Sequence, residues 1–269
     1  MIIRFSKYEG AGNDFIILDA RDGEFMPSAK SIAKLCDRHK GIGGDGVMIL
    51  DLSHKADVDF RMRYYNADGF EGTMCGNGGR CIALFAHYLG IGGREKLFEG
   101  VDGLHSARII EADDNCGIVE LGIRDVDDVQ TVEGDYLIYN GSYHIVRFVE
   151  CVEKYDVDTV GRELRYSPLF TNIGGVNVNF VEPVKDGVFK IRTYERGVEN
   201  ETLACGTGAT ASAIAARLHL GSTLNSWTAE ALGGTLRVKF DERDGLFSNI
   251  LLTGPARQVF TGKFDTNNL

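Results

Sequence analysis

LACGTGATASAIAA, residues 203–216, sets a cysteine on a Gly-Thr-Gly turn directly before a run of small residues. Read alone, it is a helix start with an incidental cysteine, because glycine clusters often precede helices. The chain then repeats the device. Residues 61–86 read RMRYYNADGFEGTMCGNGGRCIALFA, and residues 190–216 read KIRTYERGVENETLACGTGATASAIAA. Both pass through a strand with Arg-x-Tyr, a polar residue, an acidic polar loop, Cys-Gly-x-Gly and an alanine-rich helix. Asn66 precedes Cys75 by nine residues and Glu195 precedes Cys205 by ten, and the cysteines lie about half a chain apart. Two such units predict two similar α/β domains, with Cys75 and Cys205 at equivalent places.

The rest of the sequence bounds this reading. The 269 residues are 43% hydrophobic and 25% charged, an ordinary soluble balance with room for one large or two smaller domains. A formal charge of −10 and a pI near 5.1 argue against a nucleic-acid partner. MIIRFSKYEG holds no apolar run long enough for a signal peptide, and no apolar run approaches a membrane span, so a cytoplasmic chain with no membrane partner is expected. Six cysteines are too sparse for a disulfide scaffold. Cys75, Cys81 and His87 do not match a zinc spacing, so no metal is expected.

Strand-like runs include NDFIILDA, DFRMRYY, YHIVRFVE, VNFVEPV, FKIRTYE, TLRVKF and NILLTG, each bounded by turn residues. Helices are expected at 28–40, with Ser28 as N-cap and Gly41 as C-cap, and at 76–89, 159–165 and 206–219. Irregular order with a majority of strands excludes a regular doubly wound sheet. GIGGDG, residues 41–46, formally matches G-x-G-x-x-G, but a helix precedes it and strand-like VMIL follows, the wrong context for a dinucleotide site.

A helix N-terminus carries N–H groups without intrahelical partners and the positive end of the helix dipole. There a thiol is acidified and a carboxylate can bind. Glycines 76, 78, 79, 206 and 208 let an anion approach closely. Two thiols so placed suit inversion of an amino-acid α-carbon: a thiolate removes the proton, and a thiol on the other face returns one. Charge pushed onto the substrate carboxylate would be held by the helix N–H groups, as in an oxyanion hole. No lysine motif calls for pyridoxal phosphate, and no cofactor is expected.

These blocks resemble the diaminopimelate epimerase family of cofactor-independent two-base enzymes, which serve bacterial lysine biosynthesis and peptidoglycan precursor supply. The resemblance rests on EGAGNDFIILD (9–19), CDRHKGIGGDG (36–46), FRMRYYNADGFEGTMCGNGGRC (60–81), LRYSPLFTNIGGVNVNFVE (164–182) and YERGVENETLACGTGA (194–209). It implies that Cys75 and Cys205 are the two bases. Gly76, Asn77, Gly206 and Thr207 would hold the reacting carboxylate. Asn13, Asn66, Asn177, Glu195 and Arg196 would contact substrate, with Arg196 paired to the far carboxylate. Glu195 would meet the reacting amino group and tune Cys205, and His144 would assist the first cysteine. It also implies an α+β-type α/β fold of two pseudo-symmetric domains, each a mixed, strongly curved sheet around a central helix. The halves would comprise 1–127 with 255–269, and 128–254, with the active site in the cleft between them and a homodimer as the assembly.

Three departures from the family pattern stand out. The usual Gly-Asn-Pro-His is here Gly141-Ser142-Tyr143-His144, which weakens recognition of the distal end of diaminopimelate. The loop from Glu195 to Cys205 is one residue longer than the commonest form. Gly46 is expected to leave open space where some members have glutamine. Rival readings are a racemase of another polar amino acid such as histidine, a cysteine hydrolase using Cys205, His144 and Glu195, and a non-catalytic carboxylate-binding protein. Cys36 and Cys81 are expected to pack helices, Cys116 and Cys151 to pack near strands, and Arg80 to be structural. Asp14, Asp45 and Asp68 are expected to fix turns.

Overall fold

Each Cys-Gly-x-Gly repeat opens a buried helix, and around each helix a sheet curls. The structure, a computed structural model, describes residues 1–23 and 25–269. The chain divides into two compact units, Met1–Leu121 with Gly254–Leu269, and Gly122–Thr253.

The first unit holds β1 (Ile2–Gly10), β2 (Asn13–Asp19), α1 (Ala29–Cys36), β3 (Gly46–Asp51), β4 (Phe60–Asn66), α2 (Gly76–Tyr88), β5 (Glu95–Gly100), β6 (Gly103–Ala112) and β7 (Cys116–Gly122). The strands pair in sequence from β1 to β7. The later half of the last strand, Leu246–Asp265, pairs with both β7 and β1, so the ladder closes on itself. Closure leaves no open edge and makes an interior that one helix can fill. That helix is α2: residues Gly76 to Ala86 are all buried.

The second unit repeats the plan with β8 (Val129–Val132), β9 (Asp135–Tyr139), β10 (Tyr143–Phe148), α3 (Val157–Arg165), β11 (Asn177–Lys185), β12 (Val188–Glu195), β13 (Asn200–Thr202), α4 (Gly206–His219), β14 (Ser226–Ala231), β15 (Gly234–Arg243) and the start of β16 (Leu246–Asp265). Its ladder runs β8-β9-β10-β11-β12-β14-β15-β16, mixing parallel pairs (β10–β11, β12–β14) with antiparallel ones. Val126 bridges Phe247, which brings the segment before β8 back to β16. Inside lies α4, buried at nearly every position from Gly206 to Ala216. Gly, Ala, Ser and Thr dominate that helix because a sheet curled this tightly leaves no radius for larger side chains.

Several expectations need correction. The first helix ends at Cys36, capped by Asp37 rather than Gly41, because the chain tightens into turns in which Gly41 N–H bonds Asp37 O. Gly46 faces no open space: a Cβ there would stand 2.6 Å from Tyr65 O and 2.7 Å from the Tyr64 ring. Cys116 and Cys151 are exposed, lying where the chain enters β7 and the 3-10 turn Val152–Lys154, whereas Cys36 and Cys81 are buried. Asp68 does close a turn on Phe70 N–H, but Asp14 lies within β2, and both it and Asp45 join an ion-pair network. No helix among the described residues is long and apolar enough to cross a membrane.

Candidate active site

In the first unit Cys75 is the N-cap of α2, with extended backbone, and Gly79 N–H closes the first helical bond on its carbonyl. Asn13, at the start of β2, reaches it: Cys75 Sγ donates to Asn13 Oδ1 at 3.5 Å, and Asn77 Nδ2 donates to the same oxygen at 3.4 Å. Arg80, fully buried one turn into α2, donates to Asn77 Oδ1, Gly76 O and Pro255 O. Asn13 Nδ2 donates to Asp45 Oδ2 at 2.6 Å. Asp45 also accepts from Asp14 N–H and Arg38, and Asp14 pairs with both Arg38 and Lys7. These partners hold the Asp14 carboxyl well below the usual carboxylate range despite its partial burial. Asn13, Cys75, Gly76 and Asn77 therefore sit together. Asn66 is exposed at the end of β4, opposite Gly46.

Tyr64, two residues before Asn66 on the same strand face, fills the space over Gly46. Its ring lies 2.7 Å from where Cβ atoms of Gly46 and Gly72 would sit, and meets Phe15 edge-on. Substituting either glycine would displace that ring.

In the second unit Cys205 caps α4 differently. Its Sγ accepts the Gly208 N–H at 3.4 Å and lies 3.5 Å from the Thr207 hydroxyl. Asn140, buried, donates to Thr207 O and so ties the β9–β10 turn to the first turn of α4. Asn177 donates to Tyr143 O and Ser142 Oγ and accepts Arg196 N–H, joining β10, β11 and the end of β12. Glu195 accepts the Thr202 hydroxyl.

His144 is fully buried, and both its ring nitrogens are committed. Asn179 Nδ2 donates to Ile145 O and to His144 Nδ1, and Asn179 Oδ1 accepts the Thr193 hydroxyl. A backbone carbonyl can only accept, so the Asn179 amide has one orientation, Nδ1 is an acceptor, and the imidazole proton is on Nε2. That proton goes to Ser142 Oγ at 2.8 Å. Burial, reinforced by the Arg196 charge, pushes the His144 pKa down to about 3. A histidine held so holds other groups in place rather than titrating near neutrality. Ser142 Oγ receives hydrogen bonds from His144 and Asn177, which turns its own proton outward as a donor.

Sequence reasoning missed Asn179, Asn140, Asp45 and Arg38. Only Asn179 left a signal: in VNVNF, Asn177 and Asn179 share one strand face. Among the described residues no group of three or more His, Cys, Asp or Glu side chains could hold a metal ion.

Comparison with known proteins finds relatives along nearly the whole chain. A family model described as diaminopimelate epimerase matches residues 5–123 and 136–259. The diaminopimelate epimerase of Flavobacterium psychrophilum is 44% identical over 96% of this chain and 98% of its own. That of Chlorobaculum tepidum is 41% identical over 94% and 98%. Among solved structures, a Bacillus anthracis phenazine biosynthesis protein of the PhzF family superposes with a TM-score of 0.74 at 14% identity, covering 98% of this chain and 99% of that one. A hydroxyproline epimerase from Agrobacterium vitis superposes at 0.68 and 17%, covering 99% and 93%. These two share the fold.

Proposed function

The chain belongs to the diaminopimelate epimerase family, and on that premise we propose that it interconverts L,L- and meso-diaminopimelate, with Cys75 and Cys205 as the two bases. The observation that carries the reading is the duplicated helix start: each cysteine caps the buried central helix of its own unit. A hydrolase needs one such thiol, and a carboxylate-binding protein needs none.

One thiolate takes the α-proton while the other thiol delivers a proton to the opposite face, and the roles exchange in the reverse reaction. Unperturbed cysteine is only a few per cent thiolate at neutral pH, so both thiols depend on their helix ends. The first-turn amides at Gly76 and Asn77, and at Gly206 and Thr207, stabilise the negative charge that builds on the carboxylate as the α-carbon loses its proton. Arg196 meets the far carboxylate, while Glu195, Asn13, Asn66 and Asn177 complete the polar lining. His144 serves as a holder of Ser142 and Asn179 and not as a proton acceptor. We assign each half of the chain, 1–127 with 255–269 and 128–254, one base. We further propose that the enzyme works in the cytoplasm as a homodimer, which light scattering of the purified protein tests.

The deciding experiment incubates reduced protein with L,L-diaminopimelate in heavy water, following the α-proton by NMR and the isomers by chiral chromatography. Deuterium incorporation with formation of the meso isomer is the expected result. Absence of both, with turnover of histidine or another polar amino acid instead, would reassign the substrate and keep the chemistry. Ser142 and Tyr143, where the family has asparagine and proline, are the specific reason to run that panel.

A further inference from the structure

The amide of Asn13 can present either a carbonyl or an NH2 group to Cys75, and the difference matters: an acceptor favours the thiol, a donor favours the thiolate. Its orientation follows from the ends of the chain of hydrogen bonds in which it sits. At one end is Arg80, fully buried, which can only donate, and it donates to Asn77 Oδ1 at 2.9 Å. This turns Asn77 Nδ2 toward Asn13 Oδ1. At the other end is Asp45, whose Oδ1 is held by Arg38 at 2.7 Å and whose Oδ2 accepts from both Asp14 N–H and Asn13 Nδ2. Both ends demand the same answer. Asn13 Oδ1 faces Cys75 Sγ.

We propose that Asp45 and Arg80 are positioning residues that lock the polarity of Asn13 and Asn77, so that the Cys75 thiol meets a carbonyl oxygen. The proposal deepens the two-base reading by assigning what sets the protonation balance at one of its thiols. Neither residue touches the reacting atoms. Other charged or titratable groups surround this helix start: Glu9 from β1, Asp14 from β2, Cys81 within α2, and Asp102, which accepts Met74 N–H and binds His105 at the approach to β6. The variants below leave them all in place.

The test is the rate of iodoacetamide alkylation at Cys75 against pH, read from the Cys75 peptide by mass spectrometry on the full-length reduced protein. Substrate is absent, so the result is independent of whether diaminopimelate is turned over. Asn13→Leu removes the acceptor and should raise Cys75 reactivity at neutral pH by about threefold to tenfold, the worth of one hydrogen bond. Asp45→Ala should shift it in the same direction by a smaller factor, because Asn77 still favours the native orientation. Asp45→Asn removes the same charge, yet its amide oxygen can still accept from Asn13 and Asp14 N–H. It should therefore lie closer to wild type than Asp45→Ala. Thermal melts identify any variant that loses its fold, and the two exposed-site Asp45 variants carry the comparison by themselves. Equal shifts for Asp45→Ala and Asp45→Asn would mean that charge alone acts, and would overturn the proposal. So would an unchanged Cys75 in Asn13→Leu.

Discussion

The two helix starts share a sequence signature and differ in polarity at sulfur. Cys75 Sγ donates to a side-chain carbonyl, and makes no cap bond to its own helix. Cys205 Sγ accepts a helix N–H from Gly208. The networks behind them differ in kind. Around Cys75 the amides are pinned between ions, Arg80 at one end and Asp45 with Arg38 at the other. Around Cys205 the amides are pinned by neutral groups: the Thr193 hydroxyl, backbone carbonyls and an uncharged His144. Repetition of Cys-Gly-x-Gly thus fixes where a thiol stands, and the surrounding strands decide what it meets. The two bases proposed above, alternating between thiol and thiolate, need not have identical surroundings.

The largest expected effect tests whether the two starts act together. Cys75→Ala and Cys205→Ala should each lower the rate of inversion by about 10²- to 10⁴-fold, the usual contribution of a positioned acid or base. Isomer formation from L,L-diaminopimelate measures it. Retention of most activity in either variant would break the equivalence and favour a single-nucleophile enzyme.

Next in size comes the third residue after each cysteine, a glycine in both units. A Cβ at Gly78 would sit 1.7 Å from Met48 Cε, the far end of a flexible side chain. A Cβ at Gly208 would sit 2.3 Å from Asn179 Oδ1, which the Thr193 hydroxyl, His144 and Ile145 O hold fixed. Gly208→Ala should cost about 1–3 kcal/mol by overpacking and should also disturb His144, whereas Gly78→Ala should cost less because Met48 can rotate away. Thermal melts of the two variants rank them, and the reverse order would mean that the second wall is the softer one.

How far this contrast was readable in the sequence depends on the span of each contact. The helices, their caps at the cysteines and the strands leading into them follow from local pattern: Arg-x-Tyr runs in β4 and β12, then glycines, then alanines. Strands such as β6, GLHSARIIEA, escaped notice because their alternation is imperfect, and it is closure of the ladder rather than intrinsic preference that holds them extended. The residue set near each thiol came from matching blocks, but its wiring did not. Asp45 meets Asn13 across 32 residues and Arg38 across seven. No period or spacing predicts which of three acidic residues in such blocks takes the amide. Gly46 looked like missing bulk, whereas it is the floor on which the Tyr64 ring rests.

A smaller effect separates the ionic network from the neutral one by pH. His144 is uncharged when folded, with its pKa pushed down to about 3, while an unfolded histidine titrates near 6.5. Between those values the unfolded chain binds a proton that the folded chain does not. Stability attributable to this site is therefore complete above pH 6.5 and is lost as pH falls toward 3, at about 1.4 kcal/mol per pH unit once well below 6.5. Denaturant midpoints between pH 7 and 5 should fall accordingly, and His144→Gln should show a shallower slope. An identical slope in both proteins would mean that His144 is protonated in the fold, against the tautomer required by Asn179.

The smallest effect concerns thiols outside both helix starts. Cys116 and Cys151 are exposed, and a serine at either keeps the size of the side chain at the surface. Such surface changes usually stay within about 0.5 kcal/mol, so Cys116→Ser and Cys151→Ser should leave melting temperature and inversion rate unchanged. That null result has a use. A protein without its two exposed thiols gives cleaner alkylation kinetics, since Cys36 and Cys81 are buried and burial pushes the Cys36 thiol up to about 12 and the Cys81 thiol higher still. In that background the pH profiles of Cys75 and Cys205, recorded side by side, give the polarity contrast directly. A thiol facing a carbonyl should need higher pH to react than one facing an N–H. Coincident profiles would mean that the contacts described for each sulfur do not govern its ionisation.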